Sequence, residues 1–229
     1  MKTINWSGYE WITQERWGDI HPEKTYCWYD EHAVSIDANS HLHLKTRYNP
    51  KWFKDKGLWS NTGVGLVSCT NKFKHGTFEI EAKLPNGLNL WPAFWMLGSN
   101  SDTAIWPQCG EIDIMEYLGS SPTKVFGTVH GPGYSGGNAI TKTYTLSNSR
   151  FDTDFHVFGV EWDENYINFY VDNVLYNQIT PSDVTGDWVF NNPFYMILNM
   201  AVGVNYPGAP NSETPFPQEM LVDYVRVYQ

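Results

Sequence analysis

Hydrophobic and polar residues alternate along much of this chain with a period of two. In residues 76–84 the apolar side chains of Phe78, Ile80, Ala82 and Leu84 occupy every second position, and mostly polar residues lie between them. Side chains two apart in a β-strand lie on the same face, so the pattern predicts a strand with one buried face. The Pro-Asn-Gly sequence that follows is typical of a turn.

Most of the chain repeats this combination of short apolar or alternating runs and turn residues. Asp172 and Asn173 separate two such runs and predict a two-residue hairpin turn. Residues 1–32 predict irregular chain, residues 49–60 a loop, and residues 180–188 are the one stretch that favours a short helical turn. The predicted strands are residues 33–36, 41–45, 76–84, 91–97, 111–117, 124–130, 167–171, 174–176, 193–201 and 220–228. Strands joined by Gly, Pro and Asn turns predict an all-β sandwich of two antiparallel sheets.

The strand at residues 111–117 departs from simple alternation because it carries three carboxylates. Glu111 and Asp113 share a face, whereas strict alternation would turn Glu116 towards the core, where a charge is costly. One extra residue at positions 114–115, a β-bulge, returns Glu116 to the face of the other two. We therefore predict a row of three carboxylates on one face of a bulged strand.

Such a row has two interpretations. One is the acidic, solvated face of an ordinary sandwich strand, and the motif alone favours it. The other is glycoside hydrolysis, which needs two carboxyl groups that flank the scissile bond, one of them protonated. Glu111 and Glu116 would stand about 13 Å apart along the backbone, and their side chains could lean together to the roughly 5–6 Å spacing of a retaining enzyme. The charge of Asp113 would help to keep a neighbouring glutamate protonated.

The flanking residues favour glycoside hydrolysis, because they resemble a known family. The sequence Gly-Glu-Ile-Asp-Ile-Met-Glu at residues 110–116 resembles the active-site signature of glycoside hydrolase family 16, in the bulged form of laminarinases, the endo-β-1,3-glucanases. Other similar stretches follow the expected order, at residues 83–85, 91–98, 155–162, 198–203 and 222–228. The resemblance implies a β-jelly-roll with a concave substrate cleft. It also implies that Glu111 is the nucleophile, Glu116 the acid/base and Asp113 a carboxylate that tunes the pair.

Aromatic residues beside these motifs are candidates for binding sugar, since sugar rings stack on indole. Trp91 and Trp95 are four residues apart and share a strand face, and Trp106 leads into the carboxylate strand. Each could equally pack in the core. His130 ends the next strand and matches a family position near the acid/base. With the carboxylates it also suggests a metal site, which is the weaker interpretation because transition-metal sites are richer in histidine.

Asp223 is a lone carboxylate in the last predicted strand. In the resembling family this position often helps to hold a structural calcium on the convex face, and the alternative is a surface charge. Catalysis is expected to need no cofactor. Two segments depart from the family pattern. Residues 61–68 lack an arginine that many relatives have, and residues 203–208 read Gly-Val-Asn-Tyr-Pro-Gly where Gly-Gly-x-Trp-Pro-Gly is common.

Length and composition narrow the range of partners. The 229 residues suit a single catalytic domain over residues 1–229, and we expect a monomer. The formal net charge of −10 lacks the basic footprint of a nucleic-acid-binding protein. No run of ~20 apolar residues predicts a membrane span, and the N-terminus lacks the apolar core of a signal peptide. Cys27, Cys69 and Cys109 cannot all pair with one another and are expected to be buried thiols.

The sequence therefore predicts an endo-acting retaining glycosidase that cleaves the polysaccharide β-1,3-glucan. From the family resemblance, we expect it to work outside the cell or in the periplasm. Two alternatives stay open. One is the same chemistry on mixed-linkage β-glucan or an algal galactan, and the other is a non-catalytic carbohydrate-binding module on the same sandwich. The carboxylate row argues against the module, because sugar binding does not require paired glutamates.

Overall fold

The computed structural model describes residues 2–15, 26–49, 61–203 and 206–229. Within these ranges the chain forms strands joined by turns, with two short 3-10 helices at Glu31–Ala33 and Gly136–Asn138. The strands are β1 (Thr3–Trp6), β2 (Tyr9–Ile12), β3 (Trp28–Tyr29), β4 (Val34–Ile36), β5 (Leu42–Tyr48), β6 (Thr62–Val64), β7 (Leu66–Cys69), β8 (Gly76–Lys83), β9 (Leu90–Gly98), β10 (Glu111–Tyr117), β11 (Lys124–His130), β12 (Ile140–Thr145), β13 (His156–Trp162), β14 (Ile167–Val171), β15 (Val174–Ile179), β16 (Phe194–Val202) and β17 (Glu219–Tyr228). No helix in the described part of the chain is long and apolar enough to cross a membrane.

The strands form two sheets, which confirms the predicted all-β sandwich. One sheet has the order β1-β2-β7-β16-β9-β10-β11-β12, and the other has the order β15-β14-β13-β8-β17-β5-β6-β3, with β4 paired to β5. Strand pairs are antiparallel except for β3 and β6, which run parallel. Strands distant in sequence are neighbours in each sheet, so long connections cross between the sheets.

The hydrophobic core lies between the two sheets and uses the alternation read from the sequence. Phe78 and Ile80 of β8 are fully buried, and so are Phe94 and Met96 of β9 on the facing sheet. The hairpin between β14 and β15 turns at Asp172 and Asn173, as predicted, with φ values of 50° and 64°. Cys27, Cys69 and Cys109 are buried thiols outside any disulfide, also as predicted.

The predicted bulge is present in β10. From Asp113 to Glu116 this strand advances three residues, whereas the paired segments of its neighbours β9 and β11 each advance two. Ile114 and Met115 at the bulge are both buried. The extra residue lets both apolar side chains enter the core and leaves Glu116 on the same face as Asp113. The bulge therefore creates the carboxylate row.

One prediction of local structure was wrong. Part of residues 1–32 is a regular hairpin: β1 and β2 pair through a turn at Ser7 and Gly8, and β2 joins the edge of the eight-stranded sheet at β7. Residues 180–188 contain one hydrogen-bonded turn, as predicted, in which the Asp183 N–H donates to the Thr180 carbonyl over 3.0 Å, and the turn does not continue into a helix. The Asp183 carboxylate accepts hydrogen bonds from the backbone N–H and the hydroxyl of Thr180, which closes this turn. Most of the predicted loop at residues 49–60 lies outside the described residues.

Candidate active site

The carboxylate row lies in a cleft of about 590 Å³ on the outer face of the eight-stranded sheet. The strand pattern explains this placement, because side chains of β9 and β10 that do not enter the core point outwards. The cleft brings together six of the residues predicted from the sequence: Trp91, Trp95, Trp106, Glu111, Asp113 and Glu116. His130 adjoins them, with its Nε2 atom 3.1 Å from Oδ2 of Asp113.

Glu111 is held at the N-terminal end of β10. The indole Nε1 of Trp106 donates a hydrogen bond of 2.6 Å to Glu111 Oε2. Trp106 is 44% exposed, and its ring lies 5.7 Å from that of His130. Gly110, just before the strand, has a φ of +81°, which a side chain would strain. The indole thus covers the carboxylate from the solvent side and favours its ionised form.

Glu116 is held by two donors from neighbouring strands. Trp91 Nε1 of β9 donates to Oε1 over 3.1 Å, and the Thr128 hydroxyl of β11 donates to Oε2 over 3.3 Å. Thr128 in turn contacts the Thr141 hydroxyl at 3.0 Å. The sequence reasoning missed Thr128. The signal was present, because Thr128 lies two residues before His130 and must share its strand face.

Asp113 lies between the two glutamates and is 3% exposed. Its carboxyl group is in hydrogen-bonding contact with that of Glu111. The glutamate side chains are half-buried as a whole, yet their carboxyl groups are enclosed by protein atoms. Three acids thus share a poorly solvated site.

Burial and mutual repulsion raise the pKa of all three carboxyls. For Glu111 burial acts first and the charge of Asp113 second, so its pKa lies well above the ordinary value. The pKa of Asp113 is raised by burial and by Glu116. Burial raises the pKa of Glu116 to about 7, although His130 and the two hydrogen-bond donors oppose this. Protons on such groups belong to the cluster as a whole. The row therefore retains a proton near neutral pH, which suits a site that needs one acid and one nucleophile.

Comparison with known proteins identifies the family. The sequence model described as "Glycosyl hydrolases family 16" matches residues 21–226, most of the chain. This chain belongs to glycosyl hydrolase family 16. The match includes the strands that carry the cleft, and the two-sheet sandwich is the β-jelly-roll of the family.

Similar solved structures agree with this assignment. The laminarinase catalytic domain from Thermotoga maritima MSB8 is 40% identical with a TM-score of 0.85, covering 90% of this chain and 83% of its own. The endo-β-1,3-glucanase from Pyrococcus furiosus is 37% identical with a TM-score of 0.82, covering 99% of this chain and 97% of its own.

Curated relatives are longer. A β-glucanase from Rhodothermus marinus is 39% identical over 164 residues, which is 68% of this family 16 chain and 57% of that protein. The chain spans still smaller shares, 30% and 23%, of two further curated relatives.

The aromatic residues of this family 16 cleft face outwards, as predicted for sugar-binding positions. Trp91 and Trp95 flank Ala93 on the cleft side of β9, while Phe94 and Met96 fill the core on the other side. Trp91 also contacts the ring of Tyr206, edge to face, at 5.4 Å. Tyr206 belongs to the segment that departs from the family pattern, of which residues 204–205 lie outside the described ranges.

Asn199 is a second residue that the sequence reasoning missed. Its side-chain Oδ1 accepts a hydrogen bond of 2.7 Å from Trp95 Nε1, and it lines the cleft. It lies in the middle of β16, nine residues that are all buried. An amide in the middle of so apolar a strand was a usable signal, because a buried polar group needs a partner.

The cleft also offers one group of potential metal ligands. Among the described residues, Glu111, Asp113 and His130 alone place three ligand atoms within 4.8 Å of one another. A metal-binding histidine must present an unprotonated ring nitrogen, and its other nitrogen usually donates a hydrogen bond. Here Nδ1 of His130 accepts a hydrogen bond from the backbone N–H of Gly136, so the nitrogen that faces Asp113 carries the proton. The group fits a metal poorly.

Asp223 is far from the cleft strands, on β17 of the nine-stranded sheet. Its carboxylate lies 3.5 Å from Nε2 of His41, and its side chain is 45% exposed. Calcium prefers oxygen ligands, whereas the neighbour that the structure provides is an imidazole nitrogen. The structural calcium at Asp223 therefore stays a prediction from the family.

Proposed function

We propose that this family 16 chain is an endo-acting, retaining glycoside hydrolase that cleaves β-1,3-glucan. The observation that carries the proposal is the bulged strand β10, which presents Glu111 and Glu116 to one cleft, each bound by an indole N–H. A module that only binds sugar has no use for two buried glutamates with raised pKa values. Hydrolysis by this family needs no cofactor.

In the first step, Glu111 attacks the anomeric carbon of the bound sugar. The bond to the glycosidic oxygen breaks, and Glu116 gives its proton to that oxygen, so the leaving chain departs with a free hydroxyl. The product is a glycosyl ester of Glu111. The Trp106 N–H lies on the attacking carboxylate and keeps it oriented.

In the second step, Glu116 is ionised and takes a proton from water. The water oxygen attacks the anomeric carbon, and the ester bond to Glu111 breaks, which restores both carboxyls to their starting state. Two inversions at one carbon give net retention. A pKa near 7 suits a group that is an acid in one step and a base in the next.

Asp113 supplies charge and position in this scheme. It lies in contact with Glu111, and burial and the charge of Glu116 raise its pKa. As like charges resist joint ionisation, a charged Asp113 favours a protonated neighbour and keeps the acid ready. Trp91 and Trp95 would stack on sugar rings across the shallow floor at Ala93.

Similar solved structures support β-1,3-glucan as the proposed substrate. Two of them with TM-scores above 0.8 are described as a laminarinase and an endo-β-1,3-glucanase. A cleft on an open sheet face suits attack within a polymer. From the family, we expect the enzyme to act outside the cell or in the periplasm, and we expect a monomer.

A panel of polysaccharides tests the proposal. Wild-type protein is incubated with laminarin, mixed-linkage β-glucan and an algal galactan, and reducing ends and product sizes are followed, with Glu111→Gln as the control. We expect rapid loss of laminarin length with oligosaccharide products, and no products from the variant. If the protein cleaved another polymer preferentially, that polymer would be its substrate and the proposed hydrolysis would still hold. Binding to glucan without any product would establish the carbohydrate-binding module instead.

A further inference from the structure

The loop that follows β11 is held by several hydrogen bonds, both within the loop and to residues 185 and 187. Gly131 and Tyr134 exchange backbone hydrogen bonds of 3.0 Å, and the buried Tyr134 donates its hydroxyl proton to the Asp187 carbonyl over 2.8 Å. The Thr185 hydroxyl donates to the carbonyl of Gly133. The proposed reaction leaves this loop, residues 131–138, without a role.

The loop presents one backbone donor to His130. The N–H of Gly136 points at Nδ1 of the ring over 3.1 Å. A backbone N–H can only donate, so Nδ1 must offer a lone pair. A neutral imidazole carries a single ring proton, and that proton must then sit on Nε2. The hydrogen bond from Gly136 thus selects the tautomer of His130 that is protonated at Nε2.

The protonated Nε2 faces the middle carboxylate. Nε2 lies 3.1 Å from Oδ2 of Asp113, in a buried position where the side chains are 14% and 5% exposed. Within the described chain, Asp113 Oδ2 has no hydrogen-bond partner, so this contact is a close approach and not a formed hydrogen bond. Contacts of this kind often tighten when substrate binds. His130 is the group placed to satisfy this oxygen.

We propose that the loop of residues 131–138 fixes His130 in the Nε2-protonated tautomer, and that the ring N–H so presented holds Asp113 in place between Glu111 and Glu116. His130 is then a positioning residue that acts through Asp113. The opposite tautomer would aim a lone pair at the Asp113 oxygen, repel it and free the carboxylate to turn away. The inference about the tautomer stands on geometry alone. Its catalytic consequence rests on the proposed function.

The tautomer is measured by nitrogen NMR on wild-type protein labelled with nitrogen-15, at a pH where the ring is neutral. We expect the His130 signals of a protonated Nε2 and an unprotonated Nδ1. A scalar coupling between the Gly136 amide and Nδ1 would show the hydrogen bond directly. A proton on Nδ1, or no coupling to Gly136, would overturn the assignment. No substrate is needed, so this test is independent of the proposed function.

Two variants test the consequence as a matched pair. His130→Gln can place an amide N–H near the position of Nε2, whereas His130→Asn reaches only the position of Nδ1 and can accept from Gly136. Both lose the imidazole ring. On the substrate identified by the polysaccharide panel, we expect the Gln variant to keep kcat within about tenfold of wild type and the Asn variant to lose on the order of 100-fold, with little change in KM.

The pH profile separates positioning from a structural defect. A freed Asp113 changes the coupling among the three carboxyls, so the Asn variant should show a displaced profile while the Gln variant keeps that of wild type. Thermal melts of both variants report whether they fold. Equal losses of kcat in the two folded variants, or unchanged pH profiles in both, would refute the positioning role of His130. If both variants fail to fold, the NMR measurement still decides the tautomer.

Discussion

Replacing Trp95 with alanine tests whether this residue binds sugar or mainly packs in the core. Trp95 is half-buried on the cleft side of β9, packs partly against the core and donates a 2.7 Å hydrogen bond to Asn199. If the indole stacks on substrate, its loss should weaken transition-state binding by roughly 1–3 kcal/mol. At ~1.36 kcal/mol for each factor of ten, kcat/KM should fall about 5- to 150-fold.

The cost in stability should be smaller than that of a core tryptophan. The variant loses one hydrogen bond, about 1 kcal/mol, and part of the packing beneath the ring. Water in the cleft can reach the freed amide of Asn199, which limits the penalty. We expect about 1–2 kcal/mol in total, or a fall in Tm of about 2–8 °C. A fully buried tryptophan truncated to alanine costs about 3–5 kcal/mol.

The assay combines a thermal melt and a rate measurement on the same sample. Trp11→Ala is the matched control, because Trp11 is 0% exposed and lies outside the cleft. It should lose far more stability, with an unchanged rate for the folded fraction. Trp95→Phe keeps a stacking face and should retain most of the activity. A large fall in Tm for Trp95→Ala, with an unchanged rate per folded molecule, would refute the sugar-binding role.

Four further predictions concern the carboxylates. Glu111→Gln should reduce turnover by on the order of 10⁴-fold or more while the melt stays close to wild type, and near wild-type rates in the folded variant would disprove the nucleophile. Asp113→Asn should reduce kcat by on the order of 100-fold and displace the pH profile, whereas unchanged rates and profile would make Asp113 a bystander. Because the pKa of Glu116 is raised to about 7, kcat/KM should fall as the pH rises through that value. The pKa of Glu116 is higher in the folded protein than its unfolded value of about 4.3, so ionised Glu116 destabilises the fold as the pH rises from about 4.3 to 7. Glu116→Gln should therefore be more stable than wild type at pH 8 but not at pH 4. Equal differences in Tm at both pH values would contradict this prediction.

Much of the fold was predictable because apolar and polar residues alternate in strands that have one buried face. The bulge in β10 was predictable for a specific reason: without it Glu116 would enter the core at high cost. The hairpin of β1 and β2 was missed although Ile4 and Trp6 alternate with exposed residues. Strands of four residues offer too few periods to distinguish this pattern from aromatic-rich irregular chain.

The contacts of the site that could not be predicted from the sequence run between neighbouring strands. Thr128 and Asn199 reach Glu116 and Trp95 only through the registers of β10 with β11 and of β9 with β16. One sequence with no pairing information leaves those registers undetermined. The tautomer of His130 depends on a backbone N–H six residues away, and no side-chain pattern encodes that direction. The residue types of the catalytic row were predictable, whereas their supporting contacts required the structure.

Covalent trapping decides whether Glu111 is the nucleophile of a retaining β-1,3-glucanase. A laminaribiosyl donor with fluorine at C2 and a good leaving group slows the second step more than the first, so that the ester accumulates. After digestion, mass spectrometry should find one added laminaribiosyl group on the peptide that contains Glu111, at the Glu111 side chain. Attachment at Glu116, or turnover with no adduct and inverted product, would show that Glu111 is not the nucleophile.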